Sequence, residues 1–169
     1  MKKRYICTGF TLAELLAVVI ILAILTSLSL GYYKRSVEQS RFGEGLSAAS
    51  AVVEAVNQAY LDQQLSGETP TARPKVKTLD IDFASATADD TKPYSFILPH
   101  FEVRVETNGN VRAYRGDATS YTYYVNVQPS FASANKDQIS CVGANADGKT
   151  FCESMGYTTC TPNTYSCTK

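Results

Sequence analysis

The sequence predicts an α+β protein. One long N-terminal α-helix, membrane-spanning in its first half and amphipathic in its second, packs on an antiparallel β-sheet head that ends in a disulfide-bonded C-terminal region. Three observations carry this expectation. Residues Phe10 to Leu30 hold 16 apolar residues out of 21; apolar positions between Phe42 and Tyr60 recur at helical spacing; and four of the five cysteines follow a series of β-branched and aromatic stretches. The chain has 169 residues, 44% apolar and 19% charged, with 16 Lys+Arg against 16 Asp+Glu, which suits one globular domain and argues against disorder. All six prolines follow residue 69, so the two ends obey different rules. A single histidine, His100, and no tryptophan leave little for histidine-based catalysis, and no excess of positive charge marks a nucleic-acid footprint.

As a helix rising about 1.5 Å per residue, Phe10 to Leu30 is about 32 Å long, matching a hydrocarbon core of roughly 30 Å. Lys2, Lys3 and Arg4 hold its N-terminal side in the cytoplasm and place the rest outside. A cleaved secretory signal is the competing reading, since a basic stretch before the run Leu15 to Leu25 fits it. Two details oppose it: Gly31 is followed by Tyr32, Tyr33, Lys34 and Arg35 rather than by a small-residue cleavage site, and Glu14 interrupts the apolar run. A carboxylate there is costly and asks for a partner. A cut between Gly9 and Phe10 creates one, an ammonium four residues before Glu14.

Gly9, Phe10, Thr11, Leu12 and Glu14, behind a short basic leader and ahead of the apolar run, resemble the class III signal of type IV pilins and pseudopilins. The motif-level resemblance covers about residues 1 to 30. It implies cleavage after Gly9 by a prepilin peptidase, N-methylation of Phe10, and a mature chain of 160 residues that keeps its hydrophobic segment. It also implies that Glu14 meets the Phe10 ammonium of an adjacent subunit as the filament is built, pairing a buried charge. The filament core is then Leu15, Leu16, Val18, Val19, Ile20, Ile21, Leu22, Ile24 and Leu25. The implied partners are copies of the chain, the peptidase, the assembly platform of the inner membrane, and lipid before assembly. Many members of the family carry a proline where this chain has Gly31.

The organisation expected is a leader over 1–9, a hydrophobic helix over 10–30, an amphipathic helix over 31–65, a head over 66–140 and a cysteine-rich end over 141–169. Phe42, Leu46, Ala49, Val53, Val56 and Tyr60 step by three and four residues, one face of a helix. Ser66-Gly67 and Pro70 stop it, giving a helix of about 85 Å if unbroken. Gly31, Gly43 and Gly45 are its weak points. Residues 66 to 93 form a connecting segment around the head, with an apolar patch at Leu79, Ile81 and Phe83. Strands are expected at Ser95 to Leu98, Phe101 to Thr107, Val111 to Arg115 and Ser120 to Val127, with a tight turn at Asn108-Gly109. Phe101, Val103 and Val105 share the face that meets the helix, and Glu102, Arg104 and Glu106 are expected to face solvent.

Removing the leader takes away Cys7 and leaves Cys141, Cys152, Cys160 and Cys167. Outside the cytoplasm this reads as disulfides, with three possible pairings. The favoured one joins Cys141 to Cys152 and Cys160 to Cys167, closing short loops about a helical turn at Thr150 to Met155. Zinc is disfavoured because the spacings lack a C-x2-C knuckle. Asn145, Asp147 and Gly148 are spaced like part of a calcium loop, but Gly143 and Ser154 stand where acids are needed, so no metal is expected. Asp80, Asp82, Asp89 and Asp90 read as a solvated acidic loop.

The expected function is structural, without enzymatic activity or cofactor: a type IV pilus subunit, drawn from a single-pass inner-membrane pool and displayed at the cell surface. A pseudopilin of a type II secretion system is the alternative within the family. A signal-anchored extracytoplasmic binding domain or enzyme is the alternative outside it. The mature chain carries 13 Lys+Arg against 16 Asp+Glu, so direct nucleic-acid binding is not expected.

Overall fold

The computed structural model describes residues 11–84, 86, 89–132, 138–161 and 164–169, apart from the side chain of residue 28. It divides into an N-terminal unit, Met1–Gln39, and a C-terminal unit, Ser40–Lys169. Helix α1 (Leu12–Leu65) contributes to both.

Within the N-terminal unit, α1 is built from Leu, Ile, Ala and Val with no proline, and every described side chain from residue 11 to 36 is exposed. Its few hydroxyls satisfy themselves on the helix. Thr26 Oγ1 donates to the Leu22 carbonyl at 2.8 Å, and Ser27 Oγ donates to that of Ile24 at 2.8 Å. Such back-bonding hides a polar group within an apolar surface. Gly31, Gly43 and Gly45 do not interrupt the helix, because an isolated glycine costs only about 1 kcal/mol and leaves the hydrogen-bond ladder whole. The helix ends where the sequence says it should. Gly67, at φ +76°, donates its N–H to the Gln64 carbonyl, and Glu68 donates to that of Gln63, a Schellman motif that a left-handed glycine permits.

In the C-terminal unit, α1 buries Phe42, Ala49, Val53 and Val56 as expected, while Leu46 and Tyr60 are only partly covered. The buried stripe is wider than the periodicity alone marks, taking in Gly45, Ala48, Val52 and Ala55. Small side chains explain this. A Cβ on Gly45 would lie 2.7 Å from the Phe101 ring, so the backbone of α1 approaches the sheet closely there.

Seven strands form one antiparallel sheet: β1 (Ser95–Ile97), β2 (Phe101–Val105), β3 (Val111–Gly116), β4 (Tyr121–Val127), β5 (Ile139–Gly143), β6 (Thr159–Cys160) and β7 (Ser166–Thr168), in the order β1-β2-β3-β4-β5-β7-β6. One inner rung crosses every strand. Phe96, Val103, Ala113, Val125, Cys141, Cys167 and Cys160 stand directly opposite one another. The β2–β3 turn places Gly109 at φ +84°, and Asn108 Oδ1 accepts from the Asn110 N–H at 3.2 Å, as an Asn-Gly turn prefers. The connecting segment buries Val76 and Leu79 and lays Phe83 edge-on against Phe96 at 5.2 Å.

Helix α2 (Ala146–Ser154) begins four residues earlier than the turn expected at Thr150 to Met155. The residues that resembled a calcium loop are its start: Asn145 is the N-cap, its Oδ1 accepting from the Gly148 N–H at 3.0 Å, and Asp147 sits in the first turn. Cys141 is bonded to Cys152, tying β5 to α2, and Cys160 to Cys167, tying β6 to β7. This is the nearest-neighbour pairing favoured by the loop lengths.

Glu102 corrects the expectation. Strand alternation aims it away from α1, yet it is only 3% exposed, because β1 and the loop after β3 cover that end of the outer face. Its carboxylate accepts from Lys92 Nζ at 2.9 Å, Ser95 Oγ at 2.8 Å and the Ala118 N–H at 3.1 Å. Burial pushes the Glu102 pKa up, but these hydrogen bonds outweigh it and hold the carboxyl below its ordinary 4.5; the bond to Glu102 raises Lys92. A depressed native value means that this ionisation stabilises the fold fully above pH 4.5, and that the contribution is lost as pH falls through the native value. Glu102→Gln should therefore cost about 1 to 3 kcal/mol at pH 7 in urea unfolding, with the gap to the wild type closing below pH 4.5. Separately, replacing Cys141 and Cys152 together by alanine should cost about 3 kcal/mol, the loop entropy released to the unfolded chain.

Candidate functional site

The surface without a partner is the start of α1. Leu15, Leu16, Val18, Val19, Ile20, Ile21, Leu22, Ile24 and Leu25 are all between 52% and 62% exposed. The near-uniform values show a helix that is apolar all round, which demands either lipid or other protein on every side. α1 is long and apolar enough to cross a membrane. Tyr32 and Tyr33, 77% and 68% exposed, close the apolar segment just before Lys34 and Arg35.

Glu14 is the one charged residue between Leu12 and Tyr33. It lies in the first turn of α1, where its Oε2 accepts from both the Thr11 N–H and Thr11 Oγ1 at 2.8 Å, while its own N–H donates to Thr11 Oγ1 at 3.3 Å. This is a capping box: Thr11 caps the helix, and Glu14 reaches back to the capping residue's N–H. The expected charge-pairing role of Glu14 leaves Thr11 without a task, although Thr-x-x-Glu ahead of an apolar run is the signature that finds it. The carboxylate also complements the positive end of the helix dipole. Gly9 and Phe10, the expected cleavage and methylation positions, lie outside the described residues.

A second surface occupies the outer face of the sheet. Ser95, Arg104, Arg112, Asn126, Ser140 and Thr168 stand opposite one another along a rung from β1 to β7. Arg112 pairs with Glu106 at 3.6 Å, donates to the Tyr114 hydroxyl at 3.3 Å and lies 5.1 Å from the centre of the Tyr124 ring. The Tyr114 hydroxyl donates to Glu106 at 2.9 Å, and burial, foremost, pushes its pKa up to about 12. Two clefts open on this face. One, of about 350 Å³, is lined by Arg73, Tyr94, Glu102 and Arg104; the other, of about 330 Å³, by Arg112, Tyr124, Asn126, Ser140 and Thr168. His100 takes no part in either; its carbonyl accepts from Arg115 at 3.2 Å. Among the described residues no group of three or more His, Cys, Asp or Glu is placed to hold a metal ion.

Comparison with protein-family models, curated proteins and solved structures finds no match to this chain. The functional reading therefore stands on the residues and their geometry.

The capping box makes a measurable difference to the first turn. Thr11→Val removes the cap oxygen while keeping the side-chain volume. In the full chain in detergent micelles, amide exchange over residues 12–15 should accelerate roughly fivefold, with exchange beyond residue 20 unchanged. Unaltered exchange in the first turn would remove Thr11 from this role.

Proposed function

We propose that this protein is the structural subunit of a type IV pilus, held first as a single-pass protein of the inner membrane and then built into a surface filament through bundling of its N-terminal helices. The observation that carries the reading is the all-round exposure of the apolar helix from Leu12 to Leu30, with one carboxylate in its first turn. Lipid satisfies such a helix in the membrane. In a filament, neighbouring copies replace the lipid, and return to water is opposed by about 25 cal/mol for each Å² of apolar surface kept dry. In this reading Gly9 gives the prepilin peptidase access to the scissile bond, Phe10 supplies the new and N-methylated terminus, and Glu14 accepts the ammonium of an adjacent copy.

The two disulfides at the C-terminal end support the pilus over a secretion pseudopilin, because they suit a subunit displayed outside the cell. Loss of exoprotein secretion with pili intact, on deletion of the gene, would reverse that preference. An anchored monomeric domain gives no account of the Gly9-Phe10 junction, and leaves the carboxylate within the apolar run only its capping role.

Mass spectrometry of the protein taken from cells should find a chain that begins at N-methylated Phe10; an intact Met1, or a cut after residue 30, would defeat the proposal. Gly9→Val should leave the leader in place. Glu14→Ala should insert in the membrane as well as the wild type or better, yet lower the yield of sheared filaments by at least about tenfold, because the penalty of about 2 to 3 kcal/mol on offsets that leave a carboxylate in hydrocarbon is lost. Filaments at wild-type yield from Glu14→Ala would end the charge-pairing role.

A further inference from the structure

We propose that the outer face of the sheet binds a carboxylate-bearing saccharide chain, with Arg104 and Arg73 taking a carboxylate and Asn126, Ser140 and Thr168 taking sugar hydroxyls.

Two arginines point to the acid. Arg104 and Arg112 stand directly opposite on β2 and β3, an arrangement that like charges disfavour unless each is neutralised. Arg112 is neutralised by Glu106. The Arg104 side chain makes no hydrogen bond or ion pair among the described residues. It lines the 350 Å³ cleft together with Arg73, whose guanidinium is already fixed: it lies 3.9 Å from the centre of the Tyr94 ring, and its Nε donates to the Val105 carbonyl at 2.8 Å. A guanidinium held by its Nε keeps its two Nη groups for an incoming carboxylate, with the ordering already done. The other charges nearby are committed. Lys92 and Glu102 hold each other, Asp89 is bound by Thr91, and Asp117 is bound by Thr119 and Ser120 in its own turn.

What lies beyond the arginines fixes the class of ligand. Along the same rung the second cleft is lined by an amide and two hydroxyls. Asn126 and Ser140 are largely buried, Asn126 Nδ2 donating to Ser140 Oγ and its Oδ1 accepting from Arg112 Nε, both at 3.4 Å, which leaves the Ser140 O–H, the second Nδ2–H and the Thr168 hydroxyl to meet neutral vicinal hydroxyls. From Arg104 to Thr168 is four strand spacings, about 19 Å, which calls for an oligosaccharide rather than a single sugar. A nucleic acid fits less well. It presents a phosphate at every residue and bases that seek open aromatic faces. Here two cations are available, Tyr114 is buried, and Tyr121 and Tyr124 pack on it and on each other at 5.1 to 5.3 Å.

The test uses the full-length chain in a non-ionic detergent, so that its outcome is independent of polymerisation and of the pilus proposal. Fluorescence polarisation would follow three probes: a labelled tetramer of 1,4-linked galacturonic acid, its fully methyl-esterified form, and a single-stranded oligonucleotide. The acidic tetramer should bind, the ester at least about tenfold more weakly, and Arg104→Gln and Arg73→Gln should each weaken the acid by about tenfold while circular dichroism and both disulfides stay unchanged. Asn126→Ala should weaken acid and ester alike. If Arg104→Gln does not fold, Arg73→Gln carries the same test. The proposal is overturned if the acidic tetramer does not bind, if acid and ester bind equally, if neither arginine variant changes binding, or if the oligonucleotide binds more tightly with the same dependence on arginine.

Discussion

A helix that is apolar on every side cannot be satisfied by its own chain, and the organisation of this protein follows from that constraint. From Leu12 to Leu30 no described side chain finds cover. The hydroxyls within this stretch turn back onto helix carbonyls, so that little but hydrocarbon meets the surroundings. Whatever surrounds the segment must be apolar too, either acyl chains or equivalent helices. The remaining residues must then fold without help from it, and the C-terminal unit does so with its own sheet, its own stretch of α1 and two disulfides.

That self-sufficiency rests on the change of rule along α1. After residue 40 the helix alternates exposed and buried positions, and the buried ones are mostly small or β-branched: Gly45, Ala48, Ala49, Val52, Val53, Ala55 and Val56. Small side chains bring the helix close to a sheet whose inner face is itself valine-rich, and the Phe42 and Phe101 rings pack on Tyr123, with ring centres 5.9 and 6.3 Å away. At the far edge of the sheet, hydrophobic mass runs out. Strands β6 and β7 are two and three residues long, too short to hold by hydrogen bonds alone, and there the inner rung changes from valine to cysteine. Covalent links replace packing where packing is thin.

The period of each segment made most of this architecture legible. Helical spacing located the core stripe of α1, Gly67 located its end, alternation located β1 to β4 but not β5, β6 or β7, which are short and lie in the cysteine-rich end, and loop length favoured the disulfide pairing that the structure contains. What escaped was decided by tertiary cover or by local hydrogen bonds. Alternation places Glu102 on the outer face and says nothing of the loop at Ala118 that closes over it. Asn145, Asp147 and Gly148 have a composition shared by calcium loops and helix N-termini, and the structure uses them for the latter. At the candidate site, the apolar residues were evident from composition. The Thr11 cap was present as a signature but masked by Glu14, whose charge directs attention to distant partners rather than to a hydroxyl three residues away. The outer rung was invisible in the sequence, since it joins one residue from each of six strands.

The capping box sharpens what Glu14 does in the proposed filament. In the single chain its carboxylate already accepts two hydrogen bonds from Thr11, so an incoming ammonium does not rescue an orphan charge; it competes with, or adds to, a satisfied one. The net gain from such a pair is small, because what Coulomb attraction returns is set against desolvation of both groups. Apolar burial along nine or more residues contributes more, but it is indifferent to register, since leucine and isoleucine side chains pack acceptably at many offsets. A lone charge is not indifferent. Any offset that leaves Glu14 against hydrocarbon is penalised, whereas one that sets it beside a neighbouring amino terminus is not. In the proposed filament the greasy segment would thus supply cohesion, and the single carboxylate would select which of many cohesive arrangements is built.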